Sequence, residues 1–149
     1  MAGHGLIIGY GNPLRGDDGL GWRLAGLLNQ TRQRPGLTIL ACLQLTPELA
    51  PTIAEADWTV LIDAVDGRPA GLVSREAVTP REPQCNPWTH QLEPAELLYL
   101  VQALYHRTPP TALLTVGGAS FGYEERLSVE VDCAIPTMSP SRLFFSTVR

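Results

Sequence analysis

The sequence has no long apolar run, no basic run and no pattern typical of a secretory signal. Its apolar stretches all fall short of the ~18 residues that a membrane helix needs. The first residues do not show a basic segment followed by a long apolar stretch, so we expect no signal peptide. With a net charge of −4 and no basic run, the composition argues against nucleic acid or an anionic membrane as a partner.

Cysteine is also scarce, with three widely spaced residues, Cys42, Cys85 and Cys133, and no Cys-x-x-Cys pair. This usage predicts reduced thiols in the cytoplasm, and it argues against a disulfide framework or a thiolate zinc site. A chain of 149 residues that is 44% hydrophobic is the size of one domain with one core. We therefore predict a single cytoplasmic domain that spans residues 1–149.

The most informative stretch is residues 9–21, which reads GYGNPLRGDDGLG and holds five glycines and two adjacent carboxylates. It lies between an apolar strand candidate and a helix candidate, as phosphate-binding loops do. However, a dinucleotide loop needs glycine where Leu14 stands, and a phosphate loop needs Lys and Ser or Thr at Asp17 and Asp18. Because two carboxylates repel phosphate, a cation is the better ligand. The alternative is that either acid simply caps the helix.

Apolar segments and helical patterns alternate along the chain, which predicts a largely parallel sheet with helices on both faces. Residues 72–78 are expected to form a strand at a sheet edge, in either a parallel or an antiparallel orientation. The predicted strands are residues 6–10, 37–45, 58–62, 72–78 and 112–116. The predicted helices are residues 19–30, 47–56 with Thr46 as N-cap, 93–105, and a short one capped by Ser128 that Pro136 ends.

Two further residues are candidates for chemistry. Asp63 directly follows the predicted third strand, and ligands in such sheets bind beyond the carboxyl ends of the strands. His90 lies near the end of a proline-rich loop, residues 79–91. Either residue also has an ordinary structural interpretation, as a turn-forming carboxylate or a histidine bonded to a loop carbonyl. Together with a carboxylate of the first loop, they make a ligand set that suits zinc or nickel in a catalytic role.

These motifs resemble those of a known family. GYGNPLRGDDGLG at residues 9–21 closely resembles the opening signature of the hydrogenase maturation endopeptidases. IDA at residues 62–64 and THQ at residues 89–91 are similar to the family's second and third signature segments. QLTPELA at residues 44–50 and ASFGYEERLS at residues 119–128 are most similar to the cyanobacterial-type branch that serves bidirectional NAD(P)-linked hydrogenases.

The resemblance implies a three-layer α/β/α fold with a twisted, mostly parallel five-stranded sheet. It implies an endopeptidase that removes a C-terminal extension from the large-subunit precursor of a nickel–iron hydrogenase after nickel insertion. The family's metal-contacting positions fall on Asp18, Asp63 and His90, and we assign both metal binding and catalysis to these three. Nickel is then carried by the precursor, with zinc or cadmium as possible surrogates. Asp17 is expected to fix the loop by capping.

The chain departs from the family at two places. Leu43 stands where members of the branch usually carry histidine, and a proline-interrupted tail, about residues 129–149, replaces the family's long closing helix. Two other functions are alternatives. The first is a non-catalytic nickel-binding chaperone of the same assembly pathway, and the second is a nucleotide-binding module, which the acidic loop disfavours. A serine or cysteine peptidase is disfavoured because the sequence has no nucleophile-elbow motif.

Overall fold

The computed structural model describes residues 3–31, 35–86 and 91–138 of the chain. Within these ranges the strands are β1 (Gly5–Tyr10), β2 (Leu37–Cys42), β3 (Trp58–Val65), β4 (Val73–Ala77) and β5 (Thr111–Gly117). The α-helices are α1 (Leu20–Thr31), α2 (Ala50–Glu55), α3 (Pro94–Tyr105) and α4 (Val129–Ala134). Short 3₁₀ turns cover Gly16–Gly19, Pro47–Leu49 and Ile135–Met138.

The strands form one five-stranded sheet in the order β2-β1-β3-β5-β4. β1 pairs in parallel with β2 and β3, and β3 pairs in parallel with β5. β4 is antiparallel to β5 and lies at the edge, where most of its side chains are exposed. Every residue of β1 is buried, as expected for a central strand that is covered on both faces. The predicted fold class and the edge position of β4 are therefore confirmed, and of the two orientations left open for β4 the antiparallel one is observed.

Helices cover both faces of the sheet and create two apolar layers. One layer packs α1 and α4 against side chains such as Ile7, Ile62 and Val116. The other packs α2 and α3 against Ile8 and Leu61 of the opposite face. Because successive strand residues point to opposite faces, an unbroken apolar strand serves both layers at once. No helix in the described ranges combines the length and apolar character needed to cross a bilayer.

The third strand is longer than its apolar run predicts. β3 continues to Val65, and Asp63 lies inside it, opposite Thr115 of β5. The prediction that Asp63 follows the strand is therefore wrong. The physical reason is that β5 extends to Gly117 and supplies backbone partners for β3 beyond its apolar part. β2, predicted to reach residue 45, ends at Cys42.

Both of the first two helices begin with a 3₁₀ turn. The Gly16–Gly19 turn holds both acids of the first loop, and α1 starts after it, at Leu20. Pro47 opens the second turn as predicted, but the side chain of Thr46 makes no capping hydrogen bond to that turn. At the other end of the chain, Ser128 caps α4 as predicted, because its Oγ accepts the Val131 N–H at 3.3 Å. α4 ends at Ala134, and residues 139–149 of the predicted tail lie outside the described residues.

Candidate functional site

Glycines bring the first loop against the carboxyl edge of the sheet. Gly11 has φ +136°, a conformation that L side chains rarely adopt, and a Cβ there would lie 1.9 Å from the Asp18 carbonyl oxygen. A Cβ on Gly21 would lie 2.5 Å from the carbonyl oxygen of Ile62 in β3. Only glycine permits these close backbone contacts, and they allow the start of α1 to pack directly against β1 and β3. The turn that carries Asp18 is thereby fixed near Asp63.

Asp17 is fully buried and holds three parts of the chain together. Its carboxylate accepts hydrogen bonds from the N–H groups of Ala119 at 2.7 Å, Ser120 at 3.0 Å and Ser128 at 2.7 Å. The Ser128 hydroxyl donates a fourth, at 2.8 Å. Burial alone would raise the pKa of Asp17, but these hydrogen bonds outweigh it and hold the pKa below its ordinary value.

The prediction that Asp17 fixes the loop is supported by this geometry, but capping is the wrong mechanism. No side chain caps the 3₁₀ turn that contains Asp17. Its carboxylate instead ties that turn to the loop after β5 and to the start of α4. We call Asp17 with its four donor groups the Asp17 clamp.

Asp18 points the other way, into an open cleft. Its Oδ2 accepts the Asn12 N–H at 2.8 Å, which fixes the carboxylate against the backbone of its own loop. The cleft has a volume of about 620 Å³. It is lined by Asn12, Arg15, Asp18, Cys42, Leu43, Gln44, Thr46 and Gln91. A cleft of this size, with a fixed carboxylate in its wall, is within the range of ligand-binding pockets.

Asp63 is partly buried, and its carboxylate has unusual electrostatics. Its Oδ1 accepts the Ala64 N–H at 2.8 Å, and the Tyr10 hydroxyl hydrogen-bonds to the carboxylate. Burial, together with the negative charge of Asp18, raises the pKa of Asp63 to about 7, although both hydrogen bonds act in the opposite direction. The two carboxylates are therefore close enough to repel each other. A bound cation would relieve that repulsion.

Tyr10 and Cys42 also belong to this edge, and neither was predicted from the sequence as a site residue. Each is the last residue of its strand, β1 and β2, and they face each other in register. Burial raises the pKa of the Tyr10 hydroxyl, and the negative charge of Asp63 raises it further. Burial also raises the pKa of the Cys42 thiol. Their position at the carboxyl ends of parallel strands was the available signal.

Of the three predicted site residues, the structure places Asp18 and Asp63 close together. His90 lies outside the described residues, and Gln91, which follows it in the sequence, lines the cleft beside Asp18. Within residues 3–31, 35–86 and 91–138, no group of three or more His, Cys, Asp or Glu side chains is arranged to hold a metal. The metal-binding and catalytic roles of Asp18, Asp63 and His90 therefore stay predictions. Two partly buried carboxylates are nevertheless a donor set that fits a divalent cation.

The fold and the cleft define a three-layer α/β protein with paired carboxylates at the carboxyl edge of its sheet. Solved structures with this fold include the nickel–iron hydrogenase maturation protease HycI of Thermococcus kodakarensis, which is 23% identical with a TM-score of 0.71. The alignment covers 91% of this chain and 86% of that one. The hydrogenase maturating endopeptidase HybD of Escherichia coli is 21% identical, with a TM-score of 0.68 and coverage of 90% and 86%.

A solution structure of an endopeptidase from Escherichia coli is similar to the same extent, with 21% identity, a TM-score of 0.72 and coverage of 90% and 86%. No protein-family model matches the chain, and no curated protein matches it. At these identities the structural likeness shows a shared fold over most of each chain.

Proposed function

We propose that this protein is a metal-dependent hydrogenase maturation endopeptidase. Its substrate is the large-subunit precursor of a nickel–iron hydrogenase, from which it removes the C-terminal extension after nickel insertion. Three independent features support this proposal: the signature motifs in the sequence, the fold shared with proteins named as maturation proteases, and the paired carboxylates in the cleft.

The observation that carries the proposal is the closeness of Asp18 and Asp63. They come from separate segments, yet the charge of one raises the pKa of the other. Such a pair favours a cation, and carboxylate oxygens combined with an imidazole suit nickel or zinc. We assign His90 as the third ligand. Nickel is part of the substrate in this proposal, and zinc or cadmium serve as surrogates in experiments.

Binding the nickel centre of the precursor explains how the enzyme selects its peptide bond. Asp18, Asp63 and His90 would hold the nickel centre so that the adjoining segment lies in the cleft, which makes the hydrolytic step effectively intramolecular. Hydrolysis adds water to the scissile carbonyl carbon and breaks the C–N bond, and the leaving amine takes up a proton. A precursor without nickel lacks the anchor, so cleavage reports that the metal has been loaded.

We further propose that the protein works in the cytoplasm, on a hydrogenase of the cyanobacterial bidirectional type. The support is the sequence similarity at residues 44–50 and 119–128. Leu43 and Gln44 line the cleft, and Leu43 is 58% exposed. Leu43, the residue that departs from the branch pattern, therefore lies in the wall of the cleft, and we expect its apolar side chain to alter the contact with the substrate.

Cleavage of purified precursor tests the proposed function. The protein is mixed with nickel-loaded and nickel-free large-subunit precursors of the same organism, and the products are weighed by mass spectrometry. We expect the loaded precursor alone to lose its C-terminal peptide. Loss of the peptide from neither sample would refute the proposal. Stable binding of the loaded precursor without cleavage would instead identify a nickel-binding chaperone.

A further inference from the structure

We propose that Arg15 recognises a carboxylate on the polypeptide segment that enters the cleft. This inference rests on the proposed function, because it concerns the substrate of the same site. The carboxylate is either an acidic side chain of the excised extension or the terminal carboxylate of the precursor. The two sources share one chemistry, and the experiment below separates them.

The first observation is the charge pattern of the cleft. Among the described residues that line it, Arg15 is the only cationic side chain, and it shares the wall with Asp18. The whole chain carries a net charge of −4. Asp18 repels a polypeptide carboxylate that enters the cleft, and Arg15 supplies a positive charge in the same wall that would attract it.

The second observation is that the backbone around Arg15 is fixed. The Gly16 N–H donates to the Glu124 carbonyl at 2.8 Å, and the Glu124 N–H donates to the Leu14 carbonyl at 3.0 Å. These bonds form a parallel bridge between Arg15 and Glu124. Arg15 therefore stands on a backbone held from both sides, which lowers the entropy lost when its side chain binds a ligand.

The third observation is the aromatic platform beneath the guanidinium. The Arg15 guanidinium carbon lies 5.9 Å from the ring centroid of Tyr123, within the range of a cation–π contact. Tyr123 is 92% exposed, so burial of the ring does not explain its position. A guanidinium held over a ring at this distance keeps its N–H groups free for a bidentate carboxylate.

The fourth observation is that Arg15 has no carboxylate partner in the described part of the chain. The ion pairs there are Arg81–Glu93 and Arg126–Glu124. Glu124 is a neighbour of Arg15 through its backbone, but its carboxylate binds Arg126. The charge of Arg15 is thus held at the cleft without being neutralised, as a recognition residue requires.

A binding experiment tests Arg15 directly. The probes are labelled 30-residue peptides with the C-terminal sequences of the nickel–iron hydrogenase precursors of the same organism. Binding to wild-type protein, Arg15→Gln, Arg15→Lys and the control Arg75→Gln is measured by fluorescence anisotropy. Arg75 is exposed on β4 and does not line the cleft, so its substitution makes the same charge change elsewhere. We expect Arg15→Gln to weaken binding roughly ten- to a hundredfold, and Arg75→Gln less than twofold.

Arg15→Lys should fall between wild type and Arg15→Gln, because lysine keeps the charge but loses the planar fork. Two peptide changes then separate the sources of the carboxylate: amidation of the terminus, and replacement of acidic residues by their amides. The change that removes the recognised carboxylate should weaken wild-type binding as much as Arg15→Gln does. The same peptide change should not weaken binding to Arg15→Gln any further, because the effects of removing the two partners of one contact are not additive.

Cleavage of nickel-loaded precursor supplies an independent readout. We expect Arg15→Gln to raise KM about tenfold or more and to leave kcat within about twofold, since the lost contact is made equally in the ground and transition states. Equal peptide binding by wild type and Arg15→Gln overturns the inference, and so does an equal loss in Arg75→Gln. If wild type binds through Arg15 but cleaves nothing, the proposed function fails and the carboxylate recognition stands. If wild type binds none of the peptides and Arg15→Gln leaves the KM for nickel-loaded precursor unchanged, the recognition is refuted.

Discussion

Asp17 and Asp18 are adjacent in the chain but occupy opposite environments. Asp17 is fully buried among four donor groups, whereas Asp18 faces the open cleft. A 3₁₀ turn directs successive side chains about 120° apart, so adjacent residues can serve different sides of a loop. One acid therefore fixes the loop, while the other stays in the wall of the cleft.

Asp17→Asn should destabilise the protein by about 2–4 kcal/mol. The amide group of asparagine would face N–H donors that need an acceptor, and their burial makes the loss costly. Urea unfolding should show a lower midpoint at an unchanged slope. Asp132→Asn is the matched control, because Asp132 is exposed on α4, and its substitution should change stability by a few tenths of a kcal/mol.

The loss of stability caused by Asp17→Asn should depend on pH, because the folded protein holds the pKa of Asp17 below the ordinary value of 3.8. The unfolded chain then binds this proton at a higher pH than the folded chain does. The stabilisation is fully present above about pH 5 and is lost as the pH falls below 3.8 toward the folded pKa. The difference in the free energy of unfolding between wild type and Asp17→Asn should therefore become smaller on acidification. A difference in free energy of unfolding that stays constant from pH 6 to about pH 2 would contradict the Asp17 clamp.

Residue roles were predictable from sequence only in part. The motif indicated that Asp17 fixes the loop, but the identity of its donors depends on a loop about a hundred residues away. Tyr10 was not predicted as a site residue for a related reason. It appears as an ordinary apolar strand residue, and its hydrogen bond to Asp63 exists only because β1 and β3 are neighbours.

At the scale of elements, the contact between α1 and the sheet depends on glycine. A Cβ on Gly9 would lie 1.9 Å from the Gly21 carbonyl oxygen, so helix and strand meet backbone to backbone. Gly26 of the same helix has open space around it. The two helical glycines, Gly21 and Gly26, therefore offer a matched comparison.

Gly21→Ala should destabilise the protein by about 1–3 kcal/mol, because its Cβ would overlap the Ile62 carbonyl and the backbone of Tyr10. Gly26→Ala should stabilise it by about 0.5–1 kcal/mol, since alanine is the better helix former and has a clear site. Thermal or urea unfolding of both variants measures this. Similar shifts of the same sign would show that α1 does not pack as closely as described.

Element types followed from the sequence more reliably than element ends. Apolar runs and capping residues located the strands and helices, including the α4 cap at Ser128. The ends were set by neighbours: β3 reaches Val65 because β5 supplies partners for it, whereas β2, at the opposite edge of the sheet, stops at Cys42. Strand pairing is a long-range property, so the apolar run alone could not reveal that Asp63 belongs to a strand.

At the scale of the whole molecule, the sheet order brings the acidic residues together. β1 lies beside β3, so the loop after β1 and the end of β3 meet at one edge. The sequence predicted this edge because α/β sheets bind ligands there. It did not predict the Asp17 clamp or the position of Arg15 over Tyr123, since both depend on how the loop after β5 folds back.

Cleavage by two matched asparagine variants tests the central claim, which is the proposal that Asp18 and Asp63 form the catalytic centre. Asp63→Asn replaces one of the two carboxylates by an amide, whereas Asp66→Asn makes the same change at an exposed residue three positions away. Rates are measured with nickel-loaded precursor under single-turnover conditions. We expect Asp63→Asn to lower the rate at least about a hundredfold, and Asp66→Asn to stay within about twofold of wild type. Equal rates for the two variants would contradict the account.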